Sequence, residues 1–316
     1  MSATDTKSEV ATPQTTAVRR LNFKPDDLLS AGFLAQLSTL TMMSRKIISG
    51  KLRGERRTQK RGNSLEFADF KSYTQGDDLR HIDWAAFGRL EKLFIKLFHE
   101  EDDLSVYVLL DNSLSMGIGE PNKSAYARRI AAALLYIALM QGDRASVFTR
   151  INDADFSIRD QRGRGRVLNL FRFLCDLPIG GATDLDTLAA RFITTFKRPG
   201  LCILVSDLMD PAGIEAAIRR LSVSKMDVFV VHILAPTEID PVLSGEWRLM
   251  DVETGSPIDI SASPRLIEQY RDSLRRFCVR AKDICANYSA HYLFSTTATS
   301  FENLILHYLR RMGLLT

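Results

Sequence analysis

The sequence predicts an α/β fold: a doubly wound, mostly parallel sheet with helices on both faces, preceded by a smaller N-terminal subdomain that contains β-structure. Two observations predict it. From residue 104 onward, short apolar runs alternate with helical repeats, and Leu104 to Leu110, Cys202 to Val205 and Val228 to Leu234 are the most apolar of the runs. Strands buried on both faces read as continuous apolar runs, and helical crossovers between them make a sheet parallel. Before residue 104 the pattern changes to interleaved aromatic and charged residues, so residues 21–103 are taken as the subdomain and 104–316 as the α/β domain.

The elements follow in order. Residues 1–20 are expected to be a disordered tail, because Met1 to Ala17 is rich in Thr and Ser, carries acidic residues and lacks the apolar core of a secretory leader. Pro25-Asp26-Asp27 starts a helix, and Leu28, Leu29, Phe33, Leu37, Leu40 and Ile47 carry it at helical spacing to about Ile48. A basic block runs from Arg45 to Arg61. Strand-like Leu65 to Phe70 and Leu93 to Phe98 flank a Gly76-Asp77-Asp78 turn and a short helix through Trp84. In the α/β domain, strand Leu104 to Leu110 leads into a helix from Ser124 to Gln141 and a strand from Ala145 to Thr149. Helices Val167 to Cys175 and Leu185 to Phe196, strand Cys202 to Val205, helix Gly213 to Leu221 and strand Val228 to Leu234 come next. A polar hairpin around Glu253-Thr254-Gly255, a helix from Pro264 to about Ala286, a strand from His291 to Phe294 and a helix from Phe301 complete the chain.

Composition narrows the function classes. With 316 residues, 45% of them hydrophobic and 25% charged, the chain can bury a sizeable core and is not wholly disordered. Its 42 basic against 38 acidic residues give a net charge of +4, which does not by itself imply a polyanionic partner. The longest uncharged apolar run, Ile130 to Met140, falls short of the roughly 18 residues of a membrane span. A cytoplasmic protein without a transmembrane segment is therefore expected. Cys175, Cys202, Cys278 and Cys285 lack C-x-x-C spacing and read as reduced, mostly buried thiols. The five histidines are scattered in or beside apolar segments and read as structural. The basic block has neither interleaved aromatics for base stacking nor a nucleic-acid fold motif beside it, so nucleic acid is not an expected partner. Peripheral contact with an acidic membrane surface stays open.

Three segments deliver hard oxygen donors to one edge of the expected sheet. Asp111-x-Ser113-x-Ser115 follows the first apolar strand, Gly180-Gly181-Ala182-Thr183-Asp184 precedes a helix, and Ser206-Asp207 follows the second. In an open parallel sheet, ligands gather beyond the carboxyl ends of the strands. Mg2+ takes about six oxygens and keeps several waters, so hydroxyls with nearby carboxylates make a partial shell for it or for another divalent cation such as Mn2+. An Asp or Glu of a partner protein could complete that shell. Gly117, Gly180 and Gly181 are expected to permit the turns that gather these loops. A D-x-S-x-S string alone recurs by chance in about one chain in ten of this size, so its strand-end placement, with Thr183 and Asp207 in order behind it, carries the reading. The competing reading is that Asp111, Ser113, Thr183 and Asp207 only cap helices and close turns. Together these segments resemble the metal-ion-dependent adhesion site of von Willebrand factor A domains. The resemblance implies Ser113, Ser115 and Thr183 as direct or near-direct ligands, with Asp111 and Asp207 acting through waters.

The stretch from Glu66 to Trp84, with Phe67-Ala68-Asp69-Phe70 and Gly76-Asp77-Asp78-Leu79-Arg80-His81-Ile82-Asp83-Trp84, is more distinctive. It resembles the signature of a bacterial and archaeal family called domain of unknown function 58. The resemblance continues through Lys96, Glu100-Glu101, Asp111-x-Ser113-x-Ser115-Met116-Gly117 and Asp251-Val252-Glu253-Thr254-Gly255. It implies a von Willebrand factor A-like domain. Members of that family are commonly encoded beside MoxR-type AAA+ ATPases, thought to act as chaperones in maturing or activating protein complexes, so an ATPase partner of that kind is implied. Around the signature, Asp77, Asp78, Arg80, Asp83, Arg89 and Lys96 have cap and ion-pair spacing, with Tyr73 and Trp84 able to pack over them. Either they form a self-satisfied polar network, or Arg80, Asp83 and Trp84 anchor a docking surface for the ATPase or its client.

The expected function is a metal-dependent protein-interaction module acting with that ATPase, without catalysis of its own. The alternative is a magnesium-dependent hydrolase or phosphoesterase at the same site, because an aspartate beside Mg2+ at a strand end can accept a phosphoryl group. Ser113 stands where aspartyl-phosphate phosphatases place a second carboxylate, and the chain has neither a P-loop nor a G-x-S-x-G elbow.

Overall fold

The structure, a computed structural model, describes residues 21, 23–40, 42, 67–74, 82–90, 92–98, 104–210, 212–310, 314 and 315. These fall into two compact units, one holding residues 21–42 with 104–315 and the other residues 67–98. The expected tail, the basic block and residues 43–48 of the first predicted helix lie outside the described residues.

That first helix is two short ones, α1 (Pro25–Leu28) and α2 (Ala31–Leu37). The break falls at Leu29, which is extended, and at Ser30, whose hydroxyl accepts from Phe33 N at 3.3 Å and so starts a new helix. Leu28, Leu29, Phe33 and Leu37 are buried in the core of the α/β unit. This corrects the expected grouping of residues 21–103, since the segment up to Met42 belongs with the sheet. In the second unit, β1 (Phe67–Ser72), α3 (Trp84–Leu90) and β2 (Phe94–Phe98) form an antiparallel pair with one helix, Phe70 opposite Lys96.

The α/β unit continues with β3 (Ser105–Leu110), α4 (Lys123–Met140), β4 (Arg144–Ile151), β5 (Ala154–Arg162), α5 (Val167–Asp176), α6 (Leu185–Thr195), β6 (Leu201–Ser206), α7 (Glu215–Val223) and β7 (Asp227–Leu234). After these come α8 (Pro236–Ile239), β8 (Gly245–Met250), β9 (Pro257–Ala262), α9 (Pro264–Asn287), β10 (His291–Thr296) and α10 (Phe301–Asn303). Six strands form one sheet in the order β10-β7-β6-β3-β4-β5, parallel throughout except for β5, which runs antiparallel at the edge. β5 was not expected. Its sequence is polar and largely exposed, as befits an edge strand with one face toward water.

Strand side chains alternate between two cores. Val106, Val108 and Leu110 face α4 and α5, whereas Tyr107 and Leu109 face α6, α7 and α9. α4 is apolar around most of its circumference because α1 and α2 cover the side that the sheet leaves open. Cys175, Cys202 and Cys285 are buried free thiols, and burial pushes Cys175 up to about 11 and Cys285 up to about 12. Among the described residues no helix is long and apolar enough to cross a membrane.

Candidate metal centre

Chain order reverses at β3, which lies between β4 on one side and β6 on the other, so the crevice beyond β3 and β6 is the switch point where ligands bind in such sheets. Parallel register places Leu110 beside Val205, and Asp111 N donates to Val205 O at 3.0 Å. Asp111 and Ser206 therefore emerge side by side. Ser206 Oγ donates to Asp111 Oδ2 at 2.6 Å, and Ser113 N donates to Asp111 Oδ1 at 3.0 Å. Two backbone bonds dock the loop after β3 on the loop before α6: Gly180 N to Asn112 O and Leu114 N to Gly181 O, both 2.9 Å. Of the three glycines expected to permit turns, only Gly181 has positive φ, at 80°. A Cβ there would also lie 2.7 Å from Asn152 Oδ1 and 3.0 Å from Asn152 N. Gly117 serves packing instead, since a Cβ on it would meet Ile179 Cγ2 at 3.3 Å.

The loops gather three hydroxyls. Ser113 Oγ lies 2.9 Å from Ser115 Oγ, which lies 3.5 Å from Thr183 Oγ1. Asp184 stays out of this group, accepting from Thr187 N at 2.9 Å as the N-cap of α6. A cleft of about 170 Å3, lined by Asp111, Arg150, Asn152, Asp184 and Thr187, opens beside Asp111. No three carboxylate, imidazole or thiol groups cluster among the described residues in a way that could hold a metal. The donor set is one of hydroxyls backed by carboxylates, which fits a hard cation such as Mg2+ or Mn2+ and not a thiolate- or imidazole-seeking one. Neighbouring oxygens around octahedral Mg2+ stand about 2.9 Å apart, which is the separation of the two serine hydroxyls.

Behind the hydroxyls lies a buried ion pair. Lys123, the first residue of α4, has its Nζ 2.8 Å from Asp207 Oδ2 and also contacts a Glu238 carboxylate oxygen; the Lys123 and Asp207 side chains are fully buried. Burial works against the ammonium, yet Asp207 and Glu238 together hold it above its ordinary range. Asp207 Oδ1 accepts from Met209 N at 3.1 Å, across a turn in which the buried Leu208 has φ 59°. Asp207 thus spends both oxygens inside the protein. Asp111 is pushed up to about 6, first by burial and then by the charge of Asp207, against the hydrogen bonds from Ser206 and Ser113. A divalent cation in front of the two would offset that repulsion. His232 is buried, drops to about 4 through burial, and holds Tyr292 OH at 2.7 Å from its Nδ1, so it is a structural imidazole.

The structure therefore brings Asp111, Ser113, Ser115, Thr183 and Asp207 together. Sequence reasoning placed Ser206 at this edge without assigning it a role, and it missed Lys123, Asp210, Glu238 and Glu253 as members of the site. Asp210 accepts from Leu185 N and Ala212 N, both at 2.8 Å, and so ties the β6 turn to α6. Lys123 had one signal, a cation at the head of a mostly apolar helix. Arg80 lies outside the described residues. Asp83 is buried and caps α3 through Ala86 N at 3.1 Å, while Trp84 is 65% exposed and stacks edge-on with Phe87 at 6.2 Å.

A model of the family described as Protein of unknown function DUF58 matches residues 69–278. Uncharacterized proteins of Mycobacterium tuberculosis and Mycobacterium bovis are each 24% identical to this chain over 242 residues, which span 75% of it and 76% of the relative. Among solved structures, an aerotolerance-related membrane protein from Bacteroides fragilis aligns with a TM-score of 0.44 and 17% identity, covering 66% of this chain and 100% of its own. BatB from Bacteroides thetaiotaomicron gives 0.41 and 14%, covering 66% and 98%. The SpRpn10 VWA domain gives 0.34 and 11%, covering 64% and 93%. These superpositions are slight, and the fold stands on the strand order described above.

Proposed function

This chain belongs to the DUF58 family, and from that premise we propose that its von Willebrand factor A-like α/β unit is a metal-dependent protein-binding module. In this proposal it works with a MoxR-type AAA+ ATPase in maturing or activating a protein complex and turns over no substrate of its own. The observation that carries the metal reading is the Ser113, Ser115 and Thr183 hydroxyl cluster at the switch point, backed by Asp111 and Asp207. Neutral hydroxyls hold a cation without quenching its charge, so the cation keeps a strong attraction for one more anionic oxygen. A carboxylate on a partner protein meets that demand. Binding is favoured over phosphoryl transfer because both oxygens of Asp111 already accept hydrogen bonds, from Ser206 Oγ and Ser113 N. The ATPase partner rests on the family alone.

The test is capture of the cognate MoxR-type ATPase by wild type and Ser113→Ala, with Mg2+ and with EDTA. Capture should require the metal and be lost in the variant. Equal capture under all four conditions overturns the metal dependence. Phosphoester turnover that disappears in Asp111→Ala would establish a hydrolase instead.

A further inference from the structure

The acidic residue that the site was expected to take from another protein has a counterpart within this chain. β8 and β9 form a hairpin in which Trp247, Leu249, Met250 and Ile258 are exposed, and the two strands pair only with each other among the described strands. Little buried surface holds this arm in place. Its tip is nevertheless well ordered by hydrogen bonds. Asp251 N donates to Ser256 O at 2.9 Å, and Gly255 N donates to Asp251 O at 2.8 Å, with Gly255 at φ 71°. Asp251 Oδ1 accepts from Glu253 N at 2.9 Å and from Thr254 N at 2.7 Å. Asp251 is thereby a positioning residue for Glu253. The Glu253 carboxylate reaches the hydroxyl cluster, where its Oε1 accepts from Thr183 Oγ1 at 2.8 Å and its Oε2 from Thr183 N at 3.1 Å.

We propose that Glu253 is the site's own carboxylate ligand, held where a partner's carboxylate would bind, so that partner binding exchanges one carboxylate for another. This rests on the metal-binding reading above. Three features support it. The oxygens of Ser113, Ser115, Thr183 and Glu253 form one continuous chain of contacts, at 2.9, 3.5 and 2.8 Å, so the carboxylate is continuous with the hydroxyl cluster. Glu253 brings the anionic oxygen that the three hydroxyls lack. Of the carboxylates gathered here, it is the one carried on an exposed hairpin, whereas Asp111 and Asp207 are buried on strand ends. The partner's apparent affinity is then its intrinsic affinity reduced by the fraction of molecules in which the hairpin is disengaged.

The experiment is Mn2+ titration of the full chain, followed calorimetrically, in wild type, Glu253→Ala and the shape-preserving Glu253→Gln, each with and without acetate. Both variants should bind Mn2+ at least about tenfold more weakly, the effect typical of losing a carboxylate that supports a metal ligand. Acetate should restore affinity in Glu253→Ala and leave wild type unchanged. Hydrogen exchange of residues 245–262 should slow on adding Mn2+ to wild type and not to Glu253→Ala. Wild-type affinity in both variants, or an equal effect of acetate on wild type and Glu253→Ala, overturns the proposal while leaving the metal site intact. Absence of Mn2+ binding by wild type overturns the metal reading itself.

Discussion

Replacing Lys123 by Met removes a buried positive charge while keeping most of the side-chain volume. Lys123 Nζ sits 2.8 Å from Asp207 Oδ2 with both side chains inaccessible to solvent, and its other partner, the Glu238 side chain, is 24% exposed. Without the ammonium, Asp207 is a buried carboxylate facing Asp111, with Met209 N still donating to its other oxygen. Breaking a buried pair by removing one member costs about 3–5 kcal/mol, because the remaining charge is uncompensated. Glu238 can turn toward water, so most of that loss falls on Asp207. At about 2–4 °C per kcal/mol for a domain of this size, the expected fall in Tm is about 6–20 °C. The assay is thermal unfolding by circular dichroism in EDTA near neutral pH, with Lys123→Met, Asp207→Asn and the double variant compared in a cycle. Adding Asp207→Asn to Lys123→Met should recover most of the loss, since it removes the stranded charge. A loss below about 1 kcal/mol, or a double variant no more stable than Lys123→Met, refutes the view that Lys123 neutralises Asp207.

Two further outcomes follow from the site. Asp111 has a folded pKa of about 6 against an ordinary 3.8, so its share of stability is fully present below about 3.8 and is lost as pH rises through about 6. The gap corresponds to ~3 kcal/mol. Metal-free wild type should therefore lose stability between acid and neutral pH more steeply than Asp111→Asn, as read from denaturation midpoints, and parallel profiles would sink this account. Gly181→Ala places an L-residue at φ 80° and a methyl 3.0 Å from Asn152 N, whereas Gly163→Ala has a similar φ of 77° and open space around it. Both should lose roughly 1–2 kcal/mol of backbone preference, but only Gly181→Ala should lose more than that and weaken Mn2+ binding; equal losses with unchanged affinity would show that the loop contact is not tight.

The sheet was legible because its inner strands are apolar on both faces, which helix-covered parallel strands must be. The edge strand β5 was not, since Asp155, Arg159, Asp160 and Gln161 give it the composition of a loop. Likewise the helical spacing of Leu28, Leu29, Phe33 and Leu37 was real, but spacing alone cannot show that Ser30 caps a second helix or that both pack on α4. That Asp111, Ser113, Ser115, Thr183 and Asp207 share one edge of the sheet was legible because each lies at or near the end of a strand or the start of a helix, where local pattern places it. The pair between Lys123 and Asp207 spans 84 residues, that between Lys123 and Glu238 spans 115, and Glu253 lies 70 residues from Thr183. Local pattern can mark Lys123 at a helix start or Glu253 in a hairpin, but it does not say which residues they meet. Only the packing of α4, the turn at α8 and the hairpin tip onto one edge of the sheet brings them together.

That packing also divides the labour among the charges. Asp111 is held by Ser206 and Ser113, Asp207 by Lys123 and Met209, and the half-buried Glu238 by Lys123 and Ala235 N, so all three carboxylates are already engaged within the protein. A cation in front of them would meet three neutral hydroxyls and the one carboxylate of Glu253, and it would keep most of its charge for an incoming anion. Lys123 is central to that arrangement, because it withholds the charge of Asp207 from the front of the site. Lys123→Met should accordingly bind Mn2+ more tightly than wild type at temperatures where it stays folded, even though it is less stable.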